Sequence, residues 1–255
     1  MQGDTLIPQI IGHRGASADA PENTLASFQL GLEQGADAIE GDFRITKDGH
    51  IVCIHDADGN RTLRRNLKVA NRTLKDLRQG SAGKWKGATW ADEKIPTLPE
   101  VLDLLPDGKP LYLEVKVGVE FLKPLAALIQ ERNIPTSQLI LISYSQPFLK
   151  AFKEQFPQYK AYWILKFVRN PPVVGPHTPK VETVIKTVRD LGVDGIDCRA
   201  QSHVNEALVD KLNTANIPFL VWTVNDLETA QRFTQLGAIG LTTDRPGWLR
   251  EQLQR

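Results

Sequence analysis

The stretch AIEGDFRITKDGHIVCIHD, residues 38 to 56, decides how this chain folds. One β-rich run begins at Ala38 and a second covers Ile51 to Ile54, with only Lys47-Asp48-Gly49-His50 between them. A parallel crossover needs about a dozen residues or more, so the second run returns antiparallel. Asp48-Gly49 is a strong turn signal, and folding the chain there pairs residues near Asp42 with residues near Ile54. His55 then lies beside Glu40 and Asp42, and Ile51 to Ile54 drops out of the count of parallel strands.

Outward from this hairpin, short β-rich runs alternate with helical segments. The strand candidates are Gln9 to Gly12, Ala38 to Asp42, Leu111 to Lys116, Leu139 to Ile142, Ala161 to Leu165, Val193 to Asp197, Phe219 to Thr223 and Ile239 to Thr242. They number eight, as a closed parallel barrel requires. Between them, Thr24 to Gln34 sets Leu25, Phe28 and Leu32 on one helical stripe, and Gly35 supplies a stop. Thr97-Leu98-Pro99-Glu100 reads as a capping box that opens a helix running to Leu105. Further helices are expected over Lys123 to Arg132, Gln146 to Gln155, Val181 to Leu191, Glu206 to Ala215 and Leu227 to Leu236. The fold expected is α/β, one (β/α)8 TIM-barrel domain over residues 1–255 with a small insertion after the strand-hairpin unit. That insertion, about Asp58 to Glu93, breaks the alternation with basic residues and Gly80, Gly83 and Gly87, and is expected to overhang the barrel mouth.

Composition narrows the function classes. The chain has 255 residues, 41% hydrophobic and 24% charged, enough for a substantial core. A net charge of +1 gives no global field for nucleic acid or an anionic membrane, so any attraction for an anion is local. The longest uncharged stretch, Asn133 to Leu149, contains Pro135, Ser143, Ser145 and Pro147 and does not read as a membrane span. The amino terminus shows no basic region and Pro8 interrupts its apolar run, which leads us to expect a cytoplasmic protein. Cys53 and Cys198 sit in apolar runs and read as small buried residues. No internal repeat is evident, and nothing marks an oligomeric state.

Glu40 and Asp42 are two apart on a strand, so both leave the same face, which in a barrel is the interior. Two unpaired carboxylates there are costly unless they bind a cation. Glu114, at the end of the next barrel strand, completes an oxygen-rich triad that selects a hard divalent ion, Mg²⁺ or Ca²⁺. The competing reading is a salt-bridge network with Arg14, Lys116 or Arg44. His13 ends the first strand and His55 the hairpin, so a general acid and a general base face the same centre. Arg14 and Lys116 suit a phosphate diester, as a fork and a point charge. Gly15 suits close backbone approach to a ligand, and Glu22 and Asn23 can cap the first helix. Trp222 is either an apolar wall of the site or barrel packing. His50 reads as a turn residue, while His177, in the loop Pro171 to Pro179, and His203, before a helix, fall outside the site.

His13-Arg14-Gly15, Glu22-Asn23-Thr24, Glu40-Gly41-Asp42, His55-Asp56 and Glu114-Val115-Lys116 resemble, in order and spacing, the glycerophosphodiester phosphodiesterase family. The resemblance runs from about Ile10 to Pro246 and includes Trp222-Thr223-Val224-Asn225 and Thr242-Thr243-Asp244-Arg245-Pro246. It implies metal-dependent hydrolysis of glycerophosphodiesters such as glycerophosphocholine or glycerophosphoethanolamine to sn-glycerol 3-phosphate and an alcohol. It further implies Glu40, Asp42 and Glu114 as metal ligands, His13 as base, His55 as acid, and Arg14, Lys116, Glu22 and Trp222 on the substrate side. The chain departs from the family at Gly41, where a larger apolar residue is usual, and at Ala57 to Thr62, which only partly keeps an Asp-Arg-Thr run. Gly41 leaves either space near the metal or a looser strand. Two other classes compete: a related barrel acting on lysophospholipids in phospholipase D fashion or by cyclisation, and a non-catalytic barrel scaffold.

Overall fold

The computed structural model describes residues 8–169 and 177–254. Its elements in chain order are β1 (Gln9–His13), α1 (Leu25–Glu33), β2 (Ala38–Ile45), β3 (Ile51–Cys53), α2 (Leu74–Leu77), α3 (Leu98–Leu104), β4 (Leu111–Val115), α4 (Leu122–Arg132), β5 (Leu139–Ser143) and α5 (Gln146–Gln155). They continue with β6 (Ala161–Leu165), β7 (Val168–Arg169), β8 (His177–Thr178), α6 (Val181–Leu191), β9 (Gly195–Arg199), α7 (Glu206–Thr214), β10 (Phe219–Trp222), α8 (Leu227–Gln235), β11 (Gly240–Thr243) and α9 (Pro246–Leu253). Strands pair in the order β1-β11-β10-β9-β6-β5-β4-β2, and β1 also pairs with β2, so eight parallel strands close into a barrel. All eight barrel strands were legible in the sequence. Helices α2 and α9 were not, and neither was the two-residue pair β7–β8.

Two apolar layers hold the barrel. Ile11, Ala38, Tyr112, Ile140, Ile142, Tyr162, Ile164 and Leu220 fill its interior, while Phe28, Phe43, Phe121, Phe148, Phe152, Phe219 and Phe233 pack in the larger layer that includes the helix faces. Alternation along each strand sends one residue to each layer, which is why these strands read as continuous apolar runs. Four helices that follow barrel strands are capped by a side chain accepting a backbone N–H: Thr24 from Ser27, Ser145 from Phe148, Asn205 from Leu208 and Asp226 from Thr229. Glu100 accepts from the Thr97 N–H at 2.7 Å, as the capping box predicts. Among the described residues, no helix is long and apolar enough to cross a membrane.

The hairpin forms as expected. Phe43, Arg44 and Ile45 pair antiparallel with Cys53, Val52 and Ile51, and the Ile54 N–H donates to the Asp42 carbonyl at 2.8 Å. Strand β2 therefore extends three residues past Asp42, because the return strand supplies its partners. After it, Leu63, Val69, Leu77 and Ala82 pack with Val52, Ile54 and Ile95 into a small core of their own. Arg61 and Lys86 of this segment reach Glu22 and the Ala18 carbonyl, in the loop after β1.

Two glycines do a different job from the one expected. Gly15 has φ +84°, and a Cβ there would sit 2.0 Å from Ser27 Oγ, so the close approach it allows is to helix α1. A Cβ on Gly41 would meet Phe28 at 3.0 Å and Cys53 at 3.1 Å. Its outward face is thus filled by Phe28, and it opens no space beside Glu40 and Asp42, which alternate to the interior. Of the proline-rich loop Pro171 to Pro179, residues 171–176 lie outside the described residues.

Candidate active site

The carboxyl ends of the strands bring the chemistry together. Asp42 and Glu114 are direct register partners on β2 and β4, and Glu40 sits opposite His13 across β1 and β2. Oxygens of Glu40, Asp42 and Glu114 all lie within 4.8 Å of one another. Asp42 is fully buried and Glu40 is 2% exposed, so water does little to separate their charges.

Each carboxylate is held on one side. Asp42 Oδ2 accepts from Asn23 Nδ2 at 2.7 Å and lies 3.0 Å from Arg14 Nε, while Asn23 Oδ1 accepts the Asp42 N–H at 3.1 Å. Glu40 Oε2 accepts the Arg14 N–H at 3.0 Å, and Glu114 Oε1 accepts from Lys116 Nζ at 2.7 Å. Lys116 Nζ also stands 3.4 Å from Asp42 Oδ1. Even so, Glu40 Oε1 and Asp42 Oδ1 are buried with no hydrogen-bond partner among the described residues. The salt-bridge reading is therefore true in part, and it leaves oxygens over. An all-oxygen donor set with two orphaned atoms fits a hard divalent cation.

Electrostatics follows from that crowding. Burial, then the neighbouring Asp42 and Glu114 charges, push the Glu40 carboxyl far above its ordinary range. Burial and Asp42 likewise push Glu114 up to about 7, against the pull of Lys116. Asp42 goes the other way: burial opposes its ionisation, but Arg14 and Lys116 outweigh it and hold the carboxyl well below its usual range. Burial also keeps the Cys53 thiol protonated, and its Sγ lies 3.1 Å from Asn23 Oδ1.

Both histidines are oriented through Nδ1. His13 Nδ1 lies 2.6 Å from Asp244 Oδ1, and Asp244 is itself fixed by Ser17 Oγ at 2.9 Å and Asn225 Nδ2 at 2.6 Å. His55 Nδ1 lies 2.8 Å from Asp56 Oδ1. A carboxylate at Nδ1 favours the tautomer with its proton there, which leaves Nε2 available for proton transfer. Burial lowers the His55 pKa despite the opposing pull of Asp42 and Asp56. Asp244 is held well below the carboxylate range, its burial outweighed by the hydrogen bonds from His13, Asn225 and Ser17.

Glu22 bridges two cations, with Arg14 Nη1 at 2.8 Å and Arg61 Nη2 at 2.9 Å, and Arg61 Nε reaches Asp56 Oδ2 at 2.8 Å. Glu22 thus joins a network around Arg14. Asn23, read as a possible cap, belongs instead to Asp42, and Thr24 caps the helix. A cavity of about 180 Å³ is lined by His13, Arg14, Glu40, His55, Glu114, Lys116, Trp222 and Asp197, among others. Its wall includes Tyr144 and Trp222, edge to face at 6.4 Å, with Lys166 Nζ 5.2 Å from the Trp222 ring centre. A larger groove on the helical ring, lined by Asn205, Val209, Asp210 and Arg232, shares no residue with this cavity.

His50 stands in the turn, 3.4 Å from Asp48, and His177 stacks on His203 with ring centres 3.8 Å apart; none of the three lines the cavity. Sequence reasoning named neither Asp56, Asp244, Asn225 nor Asn23 as a site residue. All four stood in the quoted motifs, Asp56 beside His55 and Asn23 beside Glu22, which was the available signal.

Residues 13–248 match the Glycerophosphoryl diester phosphodiesterase family. The chain is 30% identical over 242 residues to the glycerophosphodiester phosphodiesterase of Caldanaerobacter subterraneus subsp. tengcongensis, covering 93% of this chain and 94% of that protein. It is 27% identical over 274 residues to a rat protein named Lysophospholipase D GDPD1, covering 95% of this chain and 85% of the relative. Its fold superposes, with a TM-score of 0.85 and 26% identity over 98% of both chains, on an Oleispira antarctica phosphodiesterase solved with its product sn-glycerol-3-phosphate. The chain belongs to the glycerophosphoryl diester phosphodiesterase family and is an enzyme of that class.

Proposed function

We propose that the chain hydrolyses glycerophosphodiesters to sn-glycerol 3-phosphate and a free alcohol, using a divalent cation, Mg²⁺ or Ca²⁺, held by Glu40, Asp42 and Glu114. The observation that carries this reading is one cavity lined by two carboxylates of the triad, Arg14, Lys116, His13 and His55. When bound, the cation would neutralise charge at the phosphate and acidify a coordinated hydroxyl.

Arg14 and Lys116 hold the phosphate oxygens, and Glu22 with Arg61 keeps the Arg14 guanidinium in position. The glycerol 2-hydroxyl attacks phosphorus, its proton passing to His13 Nε2. His55 Nε2 gives a proton to the departing alcohol oxygen as the P–O bond breaks. Water then opens the cyclic phosphate with the roles reversed. Asp244 and Asp56 stabilise the imidazolium formed at each stage. A half-buried His55 is a reluctant cation, so its acid role depends on Asp56 and on the negative substrate beside it. The segment from Asp58 to Glu93 closes one side of the mouth through Arg61.

The rat relative's name supports a second reading, hydrolysis of lysophospholipids. ³¹P NMR of products from glycerophosphoethanolamine and from lysophosphatidylethanolamine at equal concentration separates the two. The proposal predicts faster formation of sn-glycerol 3-phosphate from the first substrate. Faster turnover of the second would replace this reading with the lipid-directed one.

A further inference from the structure

Asp197 is a buried carboxyl that the chemistry above does not use. It is 4% exposed, sits on β9 with Ile164 and Leu220 as its register partners, and lines the active-site cavity. Its Oδ1 has no hydrogen-bond partner among the described residues. On the neighbouring strand β10, the indole Nε1 of Trp222 is also buried with no hydrogen-bond partner among the described residues, and Trp222 lines the same cavity. Ile142 and Ile164 line it as well, Ile164 being a register partner of Asp197. A native structure seldom leaves one buried polar side chain unsatisfied, and here two on adjacent strands line one cavity.

Burial, and then the charge of Glu114, push the Asp197 carboxyl well above its ordinary range. A neutral carboxyl both donates and accepts, whereas an indole N–H only donates. That pairing matches a hydroxyl, which gives one hydrogen bond and takes another. It does not match a phosphate, because a neutral carboxyl and an indole N–H bring it no positive charge.

We propose that Asp197 and the Trp222 indole N–H bind the terminal hydroxyl of the substrate's glycerol, making the site selective for glycerol over an otherwise identical group that lacks this hydroxyl. The inference rests on the phosphodiesterase reading and deepens it. Discrimination arises because the deoxy group would leave both buried atoms unpaired.

The test compares binding of sn-glycerol 3-phosphate and propane-1,2-diol 1-phosphate by calorimetry in Mg²⁺ or Ca²⁺, for wild type, Asp197→Leu, Asp197→Asn and Trp222→Phe. Wild type is expected to prefer the glycerol ligand about tenfold or more, the scale of a lost buried hydrogen bond. Asp197→Leu should bind both ligands within about twofold of each other, whereas Asp197→Asn, which still donates and accepts, should keep most of the preference. Trp222→Phe keeps the ring and removes the N–H, so its preference should fall as well, and it carries the test if the leucine variant does not fold. No preference in wild type, equal weakening of both ligands by Asp197→Leu, or an unchanged preference in Trp222→Phe overturns the inference. Turnover of glycerophosphoethanolamine by the same wild-type sample is read separately. Turnover without the predicted preference sinks the inference alone, and absent turnover removes the reading beneath it.

Discussion

His13 and His55 each spend Nδ1 on a carboxylate, and this fixes what a substitution at either must do. If His55 is the acid of the first step, replacing it slows that step only while the leaving alcohol needs a proton. His55→Ala should therefore release alcohol from glycerophosphoethanolamine about 10²–10⁴-fold more slowly but recover most of the first-turnover rate of nitrophenol release from a glycerophosphodiester with that leaving group. His13→Ala should stay impaired on both substrates, and rescue of His13→Ala instead would exchange the two roles. Glu40→Ala and Glu114→Ala should abolish cation-dependent turnover, while His50→Ala, confined to the turn, should leave it within about twofold. Equal losses from His50→Ala and His55→Ala in a steady-state assay would contradict the hairpin placement.

At the scale of elements, β2 carries the site on one face and packs on α1 with the other. Gly41 is where those demands meet, because Phe28 occupies the space a side chain would need. Gly41→Val should lower stability by about 1–3 kcal/mol through overpacking, read as a fall in melting temperature. An unchanged melting temperature would mean that Phe28 moves aside freely. The strands were legible because their apolar runs and turn signals are local properties of the chain. Helix α9 was not, because Pro246-Gly247 reads as a turn although proline suits a first helical position. The partners of the site were harder still. Asp244 meets His13 across 231 residues of sequence, and only the pairing of β1 with β11 makes them neighbours. Asn23 looked like a cap because asparagine caps helices, and only the packed barrel reveals its two hydrogen bonds to Asp42.

For the whole molecule, the carboxylate triad links cation binding to pH. Glu114 rises from an ordinary 4.5 to about 7 in the metal-free fold, so between those values the folded protein holds a proton that the unfolded chain has lost. Its contribution to stability is therefore present at low pH and fades as pH rises toward 7. A cation needs the ionised form, so its affinity should tighten by up to about tenfold per pH unit for each proton displaced, across the same window. Calorimetric titration of the metal-free protein at pH 6 and pH 8 checks this, and equal affinities would contradict a protonated Glu114. A net charge of +1 adds no long-range pull on the substrate, so recognition is left to this one cavity. The most direct measurement is release of sn-glycerol 3-phosphate from glycerophosphoethanolamine and glycerophosphocholine by purified protein in Mg²⁺, in Ca²⁺ and after chelation. The account predicts turnover that chelation abolishes and one of the two ions restores; turnover indifferent to chelation, or none from folded protein under any condition, would contradict it.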